Sequence, residues 1–434
     1  MHFSEGTETM AEQKYTISDI IETYISGDWG NDEPTEDASC PVSCIRGADI
    51  VPIYNSEYTN IPLRYISEKS LASRALQEGD IVIEKSGGSP TQSTGRVVYI
   101  SKELLEEKQN IVCSNFCAAF RIKPEWDAKY VYYYLQHIYN AGVFFNFEGK
   151  TSGLKNLIMD TAFKSITIKK IAIETQRSIA TVLSTIESKM AANRAINHYL
   201  EATAKQLYDY WFVQFDFPDK NGNPYRSSGG KMVWNEKLKR EIPEKWDVNR
   251  LSDFISLYDY KRVPLSGKDR ACRQGKYPYY GATGIMDYID DYIFDGDYIL
   301  LAEDGSTSDE KGLPIVQYIW GKTWVNNHAH IIRPKDESHM LFSFYLLKGI
   351  PAKNIETGSI QKKISQENLL GYNVSIPSKR LIDNYCGLMY PLWEERKAII
   401  EEINLLLAQR DELLPLLMTG QVSVTQLNND LAND

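Results

Sequence analysis

Residues 173–211 contain neither proline nor glycine, and their apolar side chains return at heptad spacing. Ile179, Val182, Ile186, Ile196, Leu200, Leu207 and Tyr210 fall on one pair of seam positions. Leu183, Met190, Ala204 and Trp211 widen the stripe, and Lys189, Asn193 and Thr203 interrupt it. That period predicts one long helix with a seam for a partner helix. At about 1.5 Å per residue it is roughly 50 Å long, more than the core of an ordinary domain requires. A second stretch repeats the pattern through Ile399, Ile403, Leu406, Leu413 and Leu417, with Arg396 and Arg410 as polar breaks. It extends back through Ile382, Tyr385, Met389 and Leu392. Pro391 lies inside it, which predicts a kink or short break near Tyr390. Everything else in the chain has to be built around two struts.

The chain of 434 residues is long enough for two or three domains with cores of their own. No apolar run approaches a membrane span, and residues 1–14 are polar and acidic, without an apolar signal core. A cytoplasmic protein with no membrane partner is expected, and Met10 is an alternative start. Six cysteines do not make a disulfide framework in a chain this long. Cys40/Cys44 and Cys113/Cys117 are spaced to share strand faces and together could form a four-thiolate site. Structural zinc sites more often use two intervening residues, so small buried apolar residues are the favoured reading.

The formal net charge of −10 argues against a generic polyanion binder but leaves room for local basic patches. Residues 259–276 carry Lys261, Arg262, Lys268, Arg270, Arg273 and Lys276 against Asp259 and Asp269. Residues 150–170 carry Lys150, Lys155, Lys164, Lys169 and Lys170 against Asp160. A charge cluster is more often a solvated face than a site, but two of them, one in each half, favour an anionic partner.

Along the chain, residues 15–170 read as a mixed α/β domain, with β-rich pieces at 80–84, 96–100 and 113–122 between Gly/Ser/Pro loops. The loop 86–96 (SGGSPTQSTGR) lacks the lysine of a phosphate-binding loop, which rejects nucleotide binding there. Residues 130–138 predict a helix with an aromatic core stripe, and 165–168 a strand entering the first long helix. After a Gly/Asn/Pro/Ser linker at 219–230, a tyrosine-rich second domain follows. The halves relate as an internal repeat. Residues 113–124 and 324–334 both read as a strand ending in a basic residue and proline, and 151–155 and 357–363 as lysine-bearing loops of small residues. The expected organisation is a tail (1–14), a first domain (15–172), a long helix (173–211), a linker (212–243), a second domain (244–377), a second long helix (378–418) and a tail (419–434). The expected class is α/β (α+β), with tandem domains and the helices paired as an antiparallel coiled coil of pseudo-twofold symmetry.

On these residues the chain resembles the specificity subunits of type I restriction-modification systems. Residues 410–422 (RDELLPLLMTGQV), 205–218 (KQLYDYWFVQFDFP) and 221–246 look like that family's conserved regions. Residues 277–306 (YPYYGATGIMDYIDDYIFDGDYILLAEDGS) resemble one class of its target-recognition domains. The proline-acid-glutamine run often seen at helix entry is missing near residues 376–395 and survives only as IETQ at 173–176.

The resemblance implies a non-catalytic subunit that reads an asymmetric, bipartite duplex DNA site. Two methyltransferase subunits bring S-adenosylmethionine, and two motor-nuclease subunits, where present, bring ATP and Mg. A strut of roughly 50 Å matches about 15 base pairs of rise. Bases are read through major-groove donors and acceptors, and phosphate contacts set the register. The loops favoured for DNA contact are Ser86, Gln92, Thr94, Arg96, Lys150, Ser152, Lys155 and Asn156 in the first domain. In the second they are Lys261, Arg262, Arg270, Arg273, Thr283, Ser306, Ser359, Gln361, Lys362 and Lys363. Tyr208, Trp211, Phe212 and Phe215 are candidates either for partner docking or for packing a helix end against a domain.

No catalytic constellation is found. Asn223-Pro224-Tyr225 lacks the second proline of an adenine-methyltransferase motif, and no phosphate-binding loop is present. His328 and His330 would share a strand face, as metal ligands do, but structural hydrogen bonding is the favoured reading. Asp290/Asp291 and Glu303/Asp304 lie in turn-rich strands without a nearby base. The alternatives kept open are a subunit of a methylation-only or type II-like system, a self-contained DNA endonuclease, and a coiled-coil scaffold that binds no nucleic acid.

Overall fold

The computed structural model describes residues 13–87, 92–151, 154–358 and 362–424. The chain divides into two compact units: Met1–Ala195 with Glu401–Asp434, and Ile196–Ile400.

In the first unit, the strands Ile21–Ser26, Cys117–Ile122, Ile81–Glu84 and Val97–Tyr99 form one sheet in that order, antiparallel throughout. The central strand Ile81–Glu84 is buried on both faces, so its side chains feed two cores by simple alternation. Ile81 and Ile83 join Phe120, Tyr133 and Phe163 on one side, and Val82 joins Val98, Ile100 and Ala119 on the other. A second sheet orders Leu63–Ile66, Cys40–Ile45 and Ile111–Cys113, the first pair antiparallel and the second parallel. The hairpin Glu148–Thr151/Leu154–Leu157 lies against Ser86–Gly87. Lys14–Thr16 pairs with Thr167–Lys169 just before the long helix.

The second unit repeats this plan. Its main sheet orders Ile255–Leu257, Ala329–Pro334, Tyr298–Ala302 and Val316–Ile319, again antiparallel throughout. The smaller sheet orders Ile285–Ile289, Gln274–Tyr280 and Trp324–Val325, again antiparallel and then parallel. Glu356–Thr357 pairs with Lys363–Ile364, and Asp247–Arg250 with Asn373–Ile376, which leads into the second long helix. The internal repeat read from the sequence is thus present in the main and smaller sheets of both units, while the first unit's hairpin alone carries a third strand.

The first long helix spans Ile173–Tyr208 and ends in a π-helical turn, Asp209–Val213. The second spans Lys379–Thr419. Each helix is divided between the two units, and within each unit the segments run antiparallel. In the first unit Ile179 and Leu183 share a core with Leu414 and Leu417, while Asn193 Nδ2 donates to Glu402 Oε2 at 2.7 Å. In the second, Arg396 donates to Glu201 Oε2 at 2.8 Å and the Tyr385 hydroxyl to the Ala204 carbonyl at 3.2 Å.

Two expectations need correction. The seam of the first helix is rotated by one position. Leu183, Met190, Ala204 and Trp211 are buried, in register with Ile179, Ile186, Asn193, Leu200 and Leu207, whereas Ile196 is 43% and Tyr210 37% exposed. The helix uses the neighbour four residues on from each first-row position rather than three, both of which are adjacent on a helix surface. The second helix has no break at Pro391. That residue and Gly387, four positions back, are both exposed, so the carbonyl that loses its partner is open to water.

Tyr208, Trp211, Phe212 and Phe215 are not a docking surface. All four are buried in the second unit's core, where Phe212 packs edge-on against Phe342 at 4.9 Å and Tyr385 at 5.1 Å, and Phe215 against Trp246 at 5.2 Å. Large aromatic surface gains most from burial, which makes these rings a core rather than a face.

Candidate nucleic-acid interface

In the second unit, a turn, two strand ends and a helix start meet at a buried polar network. Asp259 and His330 are almost fully buried. The Asp259 carboxylate lies 2.6 Å from His330 Nδ1 and accepts from the Ile331 amide at 2.8 Å and from Gln366 Nε2 at 2.6 Å. His330 Nε2 lies 2.7 Å from the Ile364 carbonyl. Arg262 pairs with Glu303 at 2.6 Å and donates to the carbonyls of Ala329 and Asn327. Lys363 closes the ring on Glu303 at 3.1 Å. Burial pushes the Asp259 carboxyl up, but His330, the Ile331 amide and Arg262 together outweigh it and hold it below the usual range. At Glu303, Arg262, His330 and Lys363 outweigh burial in the same way.

Among the described residues, Asp259, Glu303 and His330 are the one group whose ligand atoms converge as a metal would require. Arg262, Lys363 and Gln366 already occupy their oxygens, so the cations of this site are side chains. His328 is not part of it; its Nδ1 lies 2.6 Å from Asp304 at a half-exposed position. The four cysteines do not form such a group either. Cys44, Cys113 and Cys117 are buried, and burial raises the Cys44 thiol to about 12 and the Cys117 thiol to about 11.

The first unit places an equivalent arrangement at the same end of its central strand. Glu84 takes a two-pronged contact from Arg96, at 2.8 and 2.7 Å. The hairpin's Glu148 accepts from Thr94 through both its amide (2.7 Å) and its hydroxyl (3.1 Å), and pairs with Lys155 at 3.1 Å. In the second unit Glu356 likewise accepts from Thr307 at 2.8 Å and pairs with Lys362 at 2.9 Å.

The sequence-favoured residues therefore divide. Thr94 is fully buried and cannot face a ligand. Arg96 and Arg262 are committed to buried acids, and Arg270 and Arg273 to Asp287 and Asp290 at 3.2 and 2.8 Å, with their guanidinium groups over Tyr279 and Trp324. Ser86 hydrogen-bonds Asn156, and Lys155 also lies 5.0 Å from the Phe145 ring. Gln92, Lys261, Thr283, Ser306, Lys362 and Lys363 are exposed. Ser152, Ser359 and Gln361 and the side chain of Lys150 lie outside the described residues. The sequence reading missed Tyr260, which is 78% exposed in the turn between Asp259 and Arg262; an aromatic beside a lysine in YDYKR was the available signal.

Two units of one topology, each tying a loop to its hairpin with the same Glu–Thr contact, define a tandem two-domain protein. A family model described as the type I restriction modification DNA specificity domain matches residues 13–202 and 243–381, more than half of the chain. The chain belongs to the type I restriction-modification DNA specificity family. It is 24% identical over 407 residues to the type I restriction enzyme MjaIX specificity subunit of Methanocaldococcus jannaschii, covering 88% of each chain. Over 142 residues it is 30% identical to a putative type I restriction enzyme specificity subunit of Haemophilus influenzae, covering 33% of this chain and 35% of that one. Its fold is similar to the crystal structure of a type I restriction-modification S subunit from M. genitalium, with a TM-score of 0.55 and 16% identity over 94% of this chain and 96% of that one. By family, its task is DNA recognition. Among the described residues no helix is long and apolar enough to cross a membrane.

Proposed function

We propose that the chain reads an asymmetric, bipartite duplex site, one half with each unit, and so directs adenine methylation and cleavage by partner subunits in the cytoplasm. The observation that carries this is the repeat itself. The strand order and the Glu–Thr contact recur, while the loops beside them carry different side chains, Lys155 and Asn156 in one hairpin and Lys362 and Lys363 in the other. A shared framework with unlike contact residues suits two unlike half-sites. The chain itself has no catalytic role. Two methyltransferase subunits supply S-adenosylmethionine chemistry, and motor-nuclease subunits supply cleavage with ATP and Mg.

The partner surface is the exposed apolar face that the rotated seam leaves on the first helix. Ile196, Tyr199, Tyr210 and Val213 lie on it at exposures of 43, 70, 37 and 52%. Buried aromatic and aliphatic anchors dominate such interfaces.

The test is a genome-wide map of N6-methyladenine with and without the gene. Loss of one split motif with unlike halves is expected; identical maps overturn the reading. Exchanging the first domain for a relative's changes one half of the motif only. Co-purification distinguishes a methylation-only assembly, which lacks the motor-nuclease partner.

A further inference from the structure

In the segment Tyr258–Arg262, anchored residues flank two exposed ones. Asp259 is held from three sides, by His330, the Ile331 amide and Gln366. Arg262 is held by Glu303 and two carbonyls. The backbone adds the Tyr258 amide to the Ile331 carbonyl at 2.7 Å, and a tight turn at Asp259–Lys261. Between these anchors stand Tyr260 and Lys261. Tyr260 is the most exposed large apolar residue among those described, at 78%. Its ring stacks on Tyr258, with centroids 6.3 Å apart and 25° between planes, and the Lys261 ammonium lies 5.2 and 5.9 Å from the two ring centres.

A freely rotating tyrosine at the surface has little to offer a ligand, because binding has to freeze it. Here the freezing is done in advance by a buried network on the same turn, which lowers the ordering cost of contact. A pre-set aromatic ring beside an ammonium suits a base edge or step next to a phosphate. The neighbouring loops add Lys363 and the half-exposed His328. A protein partner would gain from the ring as well, but the Lys261 ammonium beside it meets rings rather than an acid, which favours an anionic partner.

We propose that Tyr260 is a specificity-determining residue of the half-site read by the second unit, with Lys261 on the adjacent phosphate. Asp259 and Arg262 are the positioning residues that aim them. This rests on the reading of the chain as a bipartite recognition subunit.

The experiment uses the full chain with its partner subunits in a host lacking the gene, and maps N6-methyladenine for wild type, Y260A, Y260Q, Y260F and K261Q. Y260A and Y260Q are expected to lower methylation of the native motif about tenfold and to relax base preference within one half only. Y260F keeps the ring and retains the preference. K261Q lowers methylation at all sites alike, and reduces the salt slope of DNA binding by about one. The inference is overturned if Y260A and Y260Q give the wild-type map, or if both halves of the motif relax together. The underlying reading fails separately, if the deletion strain itself keeps every motif. Tyr260 buries little, so both alanine and glutamine variants are expected to fold; circular dichroism and co-purification with partners confirm it.

Discussion

Thr307 Oγ1 donates a hydrogen bond to Glu356 Oε2 at 2.8 Å, tying the loop after the second unit's central strand to the hairpin beside it. Thr94 and Glu148 make the same contact in the first unit. Thr307 is 1% exposed, so its hydroxyl has no water to turn to. Replacing it with valine is expected to cost about 1 kcal/mol, since Lys362 still neutralises the carboxylate. Thermal unfolding measures the cost. The methylation map is expected to weaken in the half-site of the second unit and to stay sharp in the other.

The position of the helix seam makes a pair of predictions. Leu183 is fully buried, and Leu183→Ala is expected to destabilise by about 2–5 kcal/mol. Ile196→Ala removes a half-exposed side chain and is expected to cost under about 1 kcal/mol while weakening co-purification with partner subunits. Denaturant unfolding compares the two. Equal losses would place the seam back on the Ile196 row.

Adjacent cations in the second unit are expected to behave oppositely. Arg262→Ala leaves the half-buried Glu303 without its nearest counter-charge and costs about 3 kcal/mol. Lys261→Ala changes stability by less than about 0.5 kcal/mol, because its ammonium lies in solvent over two tyrosine rings. Calorimetry separates them, and only the second variant is suited to DNA-binding assays.

Glu187 gives the first unit a pH dependence. Burial raises its carboxyl to about 7, against the opposing hydrogen bond from Tyr133 at 2.6 Å. The folded state therefore holds a proton that the unfolded chain releases at ordinary carboxylate pH. Stability is greatest below that range and is lost as pH rises towards about 7, by roughly 1–3 kcal/mol. Glu187→Gln is expected to flatten the profile and to stabilise the chain at pH 8; an unchanged slope between pH 5 and 7.5 counts against this assignment.

The sequence displayed the struts because a heptad persists over ten turns and survives individual polar breaks. It did not settle which of two adjacent rows faces inward; Lys189 and Thr203 on the Ile196 row were the available hint. The aromatic end of the first helix had two readings because exposure depends on partners such as Phe342 and Tyr385, far along the chain. The basic patches were misleading for the same reason. Arg262 looked uncompensated in its own neighbourhood, yet its acid is Glu303, and Arg270 and Arg273 meet Asp287 and Asp290 across a hairpin. Local charge counts report on segments, while ion pairs are made by folds.

The first unit draws Leu414 and Leu417 into its core, whereas the second is one unbroken run of chain, Ile196–Ile400. On the ribosome the usual order of maturation is therefore inverted. The segment made first waits with an open hydrophobic side until the whole of the second unit has been synthesised, and the later unit is the first to be finished. Nascent chains stalled before residue 401 are expected to display a protease-resistant second unit and a first unit still open to cleavage or chaperone capture.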